Sequence, residues 1–555
     1  MMKKLVRLDT ILGATLALVA AAGCQGVFGG DDPENDPARA AAGGAGGPGG
    51  TNGAAAAAVP PGIYLRRLTN REYTRTVADV FGETGDLGTD LPPASSLDGY
   101  DNNVLALGTS TPVVESFAAL ATRIAHATVT DATRRAKTLG CEPTGGTRAS
   151  CLQAIVDRVG RRAYRRPLDA DERAGLLALA DAAAQDPNPL MSAELVLQGL
   201  LQSPSFLYRV EVGEPIAERP GKGRLTGYEL ATRLSYFLVG TTPDDALLDA
   251  AASGALDTAD GVAATARRLL TDPRAKDALR VFHTQWLRVN KLATIQRSPA
   301  AFPLFTDALR SALAEETTRF VDDFVWTDGA QFLDLLTARY TYVNQASAPL
   351  YGVPAPAGAG LTRVDFANDD PHGGILTHGS VLNVTAPSKT LMGILRGKFV
   401  RDAFTCETMP PPPAGVTPDP NVDRLTAPAC AGCHSFMDPI AKGFARFDMI
   451  GAYHPTDAAG ASVPTGGRMV GLEQPDFADP RELATRLRAS PKVSACVVRQ
   501  VLRFAGGRSL APSDDGWVAS LDTSFRNSRL DFRELLVALV TSDAYRTYSI
   551  EGTQR

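Results

Sequence analysis

"PACAGCHSFMDPIAKGFARFDMIGAY", residues Pro428 to Tyr453, sets two cysteines and a histidine in a five-residue frame. The chain of 555 residues has only seven cysteines and six histidines, and at those frequencies a chance C-x-x-C-H is expected about 0.001 times. If Cys430 to His434 opens a helix, residues three apart share a face and the next one still points to that side. Two thiols then bond the two vinyl carbons of one haem edge and His434 reaches the iron, the arrangement of c-type haem attachment. The same residues also suit a redox dithiol, a structural disulfide or half of a zinc site.

Attachment of haem to such a motif takes place outside the cytoplasm, which places a demand on the start of the chain. It begins "MMKKLVRLDTILGATLALVAAAGCQG": Lys3, Lys4 and Arg7, an apolar run from Ile11 to Ala22, then small residues before Cys24. This is the pattern of a bacterial secretory signal over 1–23, and Ala-Ala-Gly-Cys resembles a lipobox, with Ala21 where leucine is commoner. Cys24 is then the expected lipid-bearing residue. Ordinary signal cleavage, with Cys24 idle, is the alternative. No other apolar run approaches the length of a membrane span. From 24 to 60 the chain is rich in Gly, Ala, Pro, Asp and Asn with almost no large apolar side chains, too few to offset the entropy of ordering, and reads as a disordered tether.

The formal net charge is −5, and losing the basic leader makes the body more acidic, so nothing points to nucleic acid. At 44% hydrophobic and 21% charged, the composition is that of an ordinary globular chain large enough for several cores. With Cys24 assigned to lipid and Cys430 and Cys433 to haem, four cysteines remain, an even number in an oxidising compartment. Cys141 and Cys151 bracket a short loop and are expected to pair. Cys406 with Cys496 is the residual pair, and free buried thiols are the alternative there.

Helical periodicity dominates the rest. "LTNREYTRTVADVFG" starts at a Thr69 or Asn70 cap and puts Tyr73, Val77 and Val80 on one stripe. Asp169 with Glu172, and Thr226 with Glu229, read as capping boxes, and Pro273 after Asp272 opens another helix. A helix is expected from Thr111 to about Thr128, and another near Met392 to Phe404. The arginines at 158, 161, 162, 165 and 166 are read as a solvated or salt-bridged face, and His283 as a histidine at the edge of a core. Glu315 and Glu316 are adjacent and not i, i+4, so they are not read as a catalytic dyad. The predicted fold class is mainly α, a multi-module helical protein with a cytochrome c-like haem module near the C-terminal end. After the signal and tether the expected modules are 61–137, 138–215, 216–355, the haem-binding 356–475, and 476–555. There is no 20–50-residue repeat, no G-x-S-x-G, no Walker loop and no H-E-x-x-H.

Several stretches in fixed order resemble one family: "LRRLTNREYTRTVADVFG", "RVGRRAYRRPLDADE", "LATRLSYFLVGTTPDDALLDAAASGAL", "GILTHGSVL" with "RGKFVRDAF" and "PPPP", the C-x-x-C-H stretch, and "DFRELLVALVTSDAYR". Together they are similar to planctomycete and myxobacterial secreted proteins of five consecutive domains of unknown function with a planctomycete-type cytochrome c module. The resemblance spans about Ile63 to Arg546. It implies that Cys430, Cys433 and His434 form the haem site. This chain has "DPIAKGF" where that family usually shows "DPIGF", so Ala441 and Lys442 intervene.

The expected cofactor is one covalent haem c, and its sixth ligand decides the chemistry: methionine raises the potential and blocks the iron, a second histidine blocks it at lower potential, an open position permits ligand chemistry. Met469 in "GGRMVG" is the favoured candidate, with Met449, His454 and Met409 as others. Met437, three residues past His434, lies on the wrong side. The first function expected is an envelope lipoprotein in electron transfer, anchored on the periplasmic or cell-surface side of a Gram-negative-type bacterium and working with a redox partner protein. The second is an oxidoreductase using the haem as a relay, with "GYDNN" (Gly99 to Asn103) and "PHGGILTHGS" (Pro371 to Ser380) as polar clusters for a pocket. The third is a non-redox surface protein with a structural metal.

Overall fold

Many helix starts in this mainly α chain follow local chemistry. In the computed structural model, which describes residues 65–409 and 422–549, the first strand, β1 (Arg66–Arg67), leads into α1 (Asn70–Phe81). Thr69 Oγ1 accepts from Glu72 N at 3.1 Å while Glu72 Oε2 accepts from Thr69 N at 2.9 Å, a closed capping box. The helix ends at Gly82, whose φ of 70° is the left-handed turn that suits glycine. The signal-like residues 1–23, Cys24, the 24–60 tether and the prolines 410–413 lie outside the described residues.

The first core gathers α1, α2 (Thr111–Thr130), α3 (Arg148–Tyr164), α4 (Ala170–Ala182) and α5 (Met191–Gln202). Tyr73, Val77, Phe81, Phe117, Ile124, Ile155 and Phe206 meet there, with the Tyr73 and Phe117 rings 4.9 Å apart. Cys141 and Cys151 form a disulfide at its edge. Strand β2 (Tyr208–Arg209) returns antiparallel to β1, pairing Arg66 with Arg209. Among the five arginines of the α3 end, Arg161, Arg162 and Arg166 pair with Asp249, Asp245 and Glu172. Arg165 departs from the solvated face expected of it: it is buried, at φ 61°, because the carbonyls of Ser205, Phe206 and Tyr208 take its guanidinium.

The larger core begins with β3 (Lys222–Arg224) and α6 (Gly227–Leu238), which opens on the Thr226–Glu229 capping box. It continues through α7 (Pro273–Trp286), α8 (Asp307–Trp326), β4 (Tyr340–Val343) and β5 (Thr362–Asp365), the last two paired antiparallel. Then come α9 (Gly379–Val384), α10 (Lys389–Val400), α11 (Pro428–Lys442), β6 (Gly467–Arg468) and β7 (Asp476–Phe477). The chain closes with α12 (Pro480–Ala489), α13 (Pro491–Gly506), α14 (Phe532–Thr541) and β8 (Thr547–Ser549), which pairs back onto β3. Tyr100, from the "GYDNN" stretch, enters this core: it stacks 6.1 Å from Phe282 and donates to Gln500 Oε1 at 3.0 Å. A third apolar cluster, around Leu292, Leu313, Tyr351 and Ile450, lies under β4 and β5. No helix among the described residues is long and apolar enough to cross a membrane.

After Val400 the α10 ladder widens into a π turn, Arg401–Thr405, and Cys406 sits at φ 54°, an uncommon conformation for a non-glycine residue. Its disulfide to Cys496 ties this turn to α13 across 90 residues of chain. Closing a loop of that length removes about 4–5 kcal/mol of unfolded-chain entropy in the loop-closure picture. Serine at both positions is therefore expected to lower the denaturation midpoint markedly, measured by thermal melting with and without reductant. A double variant that melts with the wild type contradicts this.

Candidate functional site

Pro428 occupies the first turn of α11, where its missing N–H costs no hydrogen bond, so the helix starts two residues before Cys430. Cys430, Cys433 and His434 thus occupy its first two turns on neighbouring positions of one side, each half-buried. The helix runs through "DPIAK" to Lys442, so Ala441 and Lys442 are helical. His434 Nδ1 lies 2.9 Å from Asp438 Oδ1, one turn on, and Asp438 Oδ2 lies 3.4 Å from Arg424 Nη2. An ionised carboxylate only accepts, so Nδ1 carries the proton and Nε2 keeps its lone pair for a metal.

Arg396 on α10 and Arg401 in the π turn after it, both buried, hold the end of α11 and the chain that follows it: Arg401 bonds within the helix and Arg396 just beyond it. Arg396 Nη1 donates to the carbonyls of Phe444 at 3.1 Å and Phe447 at 2.7 Å; burial pushes its pKa down to about 9, still above neutrality. Arg401 Nε donates to Phe436 O at 2.8 Å, its Nη2 to Val470 O at 3.1 Å, and Nη1 binds Glu407. Between them the backbones nearly touch: a Cβ on Gly397 would sit 1.9 Å from Met437 O. Sequence periodicity carries no signal for these contacts, since the carbonyls they reach lie more than 30 residues away.

The donor set fits a covalently held haem. Cys430 and Cys433 are free while the other four described cysteines are paired. Large apolar side chains are exposed close by: Val422, Leu425, Phe436 and Val470, each 40% or more open, the last two joined through Arg401. A closed zinc site needs four converging donors, and among the described residues no three His, Cys, Asp or Glu side chains converge to hold a metal.

Met469 follows β6, which returns to α11 so closely that a Cβ on Gly467 would lie 2.2 Å from Pro439 O. Its side chain is fully buried in the larger core, which also holds Ile440 of α11. Met409 and Met449 are half-buried, and Met437 faces the core. His454 is exposed and bonded to Asp448 at 3.0 Å.

"PHGGILTHGS" leads to a second polar centre. Glu316 on α8 is fully buried, accepting from Tyr351 Oη at 2.9 Å and from Thr341, and burial pushes its pKa up to about 8. His378 Nδ1 stands 3.9 Å from Glu316 Oε1 and 3.2 Å from Thr317 Oγ1; burial drives its pKa down to about 3. Tyr351 Oη also accepts from Gly379 N at 2.9 Å, at the head of α9. His372 is held by Asp370 at 2.8 Å, and burial lowers its pKa. His283, caged by Phe282, Trp286, Phe332 and Phe532, is inside the core and not at its edge; burial takes its pKa down to about 3. These groups are sealed from solvent and anchor the loop that leads into α9 and α10. Glu316 continues the Leu309, Leu313, Phe320 stripe at i+3 and i+4 spacing, a signal of burial that its neighbour Glu315 obscures.

Comparison with protein families gives five matches in tandem, each described as "Protein of unknown function". They are DUF1587 over residues 66–130, DUF1595 over 151–211, DUF1592 over 225–353, DUF1588 (PSCyt3) over 372–457 and DUF1585 over 473–545. Cys430, Cys433 and His434 fall within the fourth. No curated protein and no solved structure matches the chain. With all five domains present in this order and C-x-x-C-H in the fourth, the chain belongs to the family of planctomycete-type cytochrome c domain proteins.

Proposed function

We propose that this protein is an envelope lipoprotein that carries one haem c on Cys430 and Cys433, with His434 as axial ligand, and passes single electrons to or from a partner protein. The observation that supports it most is the pair of free thiols beside an imidazole whose Nδ1 is fixed by Asp438. Cys430 and Cys433 would hold the group by adding their S–H bonds across its two vinyl groups, an addition that needs no oxidant. The bound group supplies a one-electron centre at a fixed place. Arg401 ties the helix that would carry it to the π turn, Arg396 ties the chain just after that helix, and Asp438 keeps the imidazole in one tautomer. Lipid on Cys24 and the 24–60 tether would leave the folded body at the membrane surface. Cys24→Ser is expected to move the protein from the membrane fraction to the soluble fraction, and a variant that stays with the membrane contradicts the anchor.

Met469 is the proposed sixth ligand, since β6 brings the chain back to the α11 helix and a thioether in dry surroundings favours a high potential. Met469→Ala is expected to abolish the sulfur-to-iron absorption band, lower the midpoint potential and cost about 2–5 kcal/mol through the cavity. Loss of stability with an unchanged spectrum would make Met469 a core residue only. Electron transfer itself is tested by redox titration of the purified full-length protein, where a reversible c-type spectrum is expected and one that ignores reductant overturns the proposal.

A further inference from the structure

Where β1 and β2 pair, Arg66 and Arg209 stand opposite each other, 8% and 2% exposed. They line a cavity of about 20 Å³ with Arg71, Glu72, Asn102 and Tyr236, and with Phe504 and Ala505 of α13. Three polar atoms of these two guanidiniums have no hydrogen-bond partner among the described residues: Arg66 Nη1 and Arg209 Nε and Nη2. The one carboxylate on the cavity wall, Glu72, lies 3.7 Å from Arg209 Nη1 and already accepts from Thr69 N. Of the neighbouring charges, Glu211 is taken by Arg233 at 2.9 Å, and Arg71 at the rim faces Asp101 at 3.6 Å. Glu211 acts on both guanidiniums from farther off, but no acceptor among the described residues reaches these three nitrogens, and a buried N–H left without an acceptor is costly. Asn102 spends Nδ2 on Phe504 O at 2.8 Å and leaves Oδ1 without a partner.

We propose that this cavity is a binding site for one small monovalent anion, a halide or the head of a compact carboxylate, held by Arg66 and Arg209. Planar guanidinium forks suit both ligands, and the space admits about one water-sized group, too little for tetrahedral phosphate. The site joins four of the five matched domains, through Arg66, Arg209, Tyr236 and Phe504, so its occupant also fastens the first domain to the last. This is independent of the haem.

The test is thermal melting of the full-length protein with chloride, formate or phosphate, each raised against a bulky sulfonate at constant ionic strength. A saturable rise in melting temperature with chloride or with formate is expected, whichever acts identifying the natural class, and none with phosphate. Arg66→Gln should weaken the apparent affinity about tenfold or more, the worth of a charged hydrogen bond. Glu72→Gln keeps the capping geometry, removes the competing carboxylate and should tighten it. No saturable effect in the wild type, or the same curve in both variants, overturns the proposal. Should Arg66→Gln not fold, crystals of the wild type grown in bromide decide: anomalous density within hydrogen-bond reach of Arg66 and Arg209 supports the site, and a water molecule there refutes it.

Discussion

With alanine at both Cys430 and Cys433, protein matured in a host with c-type haem machinery is expected to lose all haem that survives denaturation. Each thiol supplies one of the two bonds, so either single variant retains one thioether and the double variant none. The Nε2 of His434 remains, but a lone imidazole gives only exchangeable binding. The double variant also leaves Val422, Leu425, Phe436 and Val470 uncovered, so aggregation should increase. Haem-dependent peroxidase activity on a denaturing gel reads the first effect and light scattering the second. Retention of gel-stable haem in the double variant would move the attachment site elsewhere.

The second large effect concerns Glu316 and pH. Its folded pKa of about 8 stands above the ordinary carboxylate value of 4.5, so between those limits the folded state holds a proton that the unfolded chain has lost. Stability from this group is complete below pH 4.5 and falls as pH rises toward 8. His283 and His378 act in the opposite sense. Their folded values of about 3 lie below 6.5, so their contribution is complete above pH 6.5 and is lost as pH falls toward 3. Two histidines outweigh one glutamate below 6.5, and Glu316 acts alone above it. A stability maximum near pH 6.5 follows, with a decline of about 2 kcal/mol by pH 8. Glu316→Gln removes the titration while keeping an acceptor for Tyr351 and Thr341, and should flatten the alkaline limb of the denaturant-midpoint profile. An equally steep limb in the variant would assign it to another group.

Local chemistry explains which parts of this molecule are readable from sequence. The capping boxes at Asp169 and Thr226 stand where their spacing places them, because acceptor and donor lie three residues apart and need nothing else; of Thr69 and Asn70 the structure selects Thr69 as the cap and closes a box there with Glu72. The helical start of the C-x-x-C-H segment is readable for the same reason, with Pro428 as its marker. Buried charges are not readable, because what makes burial tolerable comes from distant chain. Arg401 depends on a carbonyl of α11, Arg396 on carbonyls just after it, and Arg165 on carbonyls after α5. "GYDNN" and "PHGGILTHGS" stand out as polar clusters in sequence, yet only the fold separates their roles. The first lines a cavity that asks for an anion; the second closes around Glu316 as a sealed hub.

Intact mass under denaturing conditions, on wild-type protein purified from a haem-maturing host and treated with a thiol alkylator, tests the central claim most directly. The expected result is the polypeptide plus one haem, with Cys430 and Cys433 both closed to alkylation. A polypeptide of unmodified mass that takes up alkyl groups at Cys430 and Cys433, whether or not zinc is recovered with it, contradicts the account.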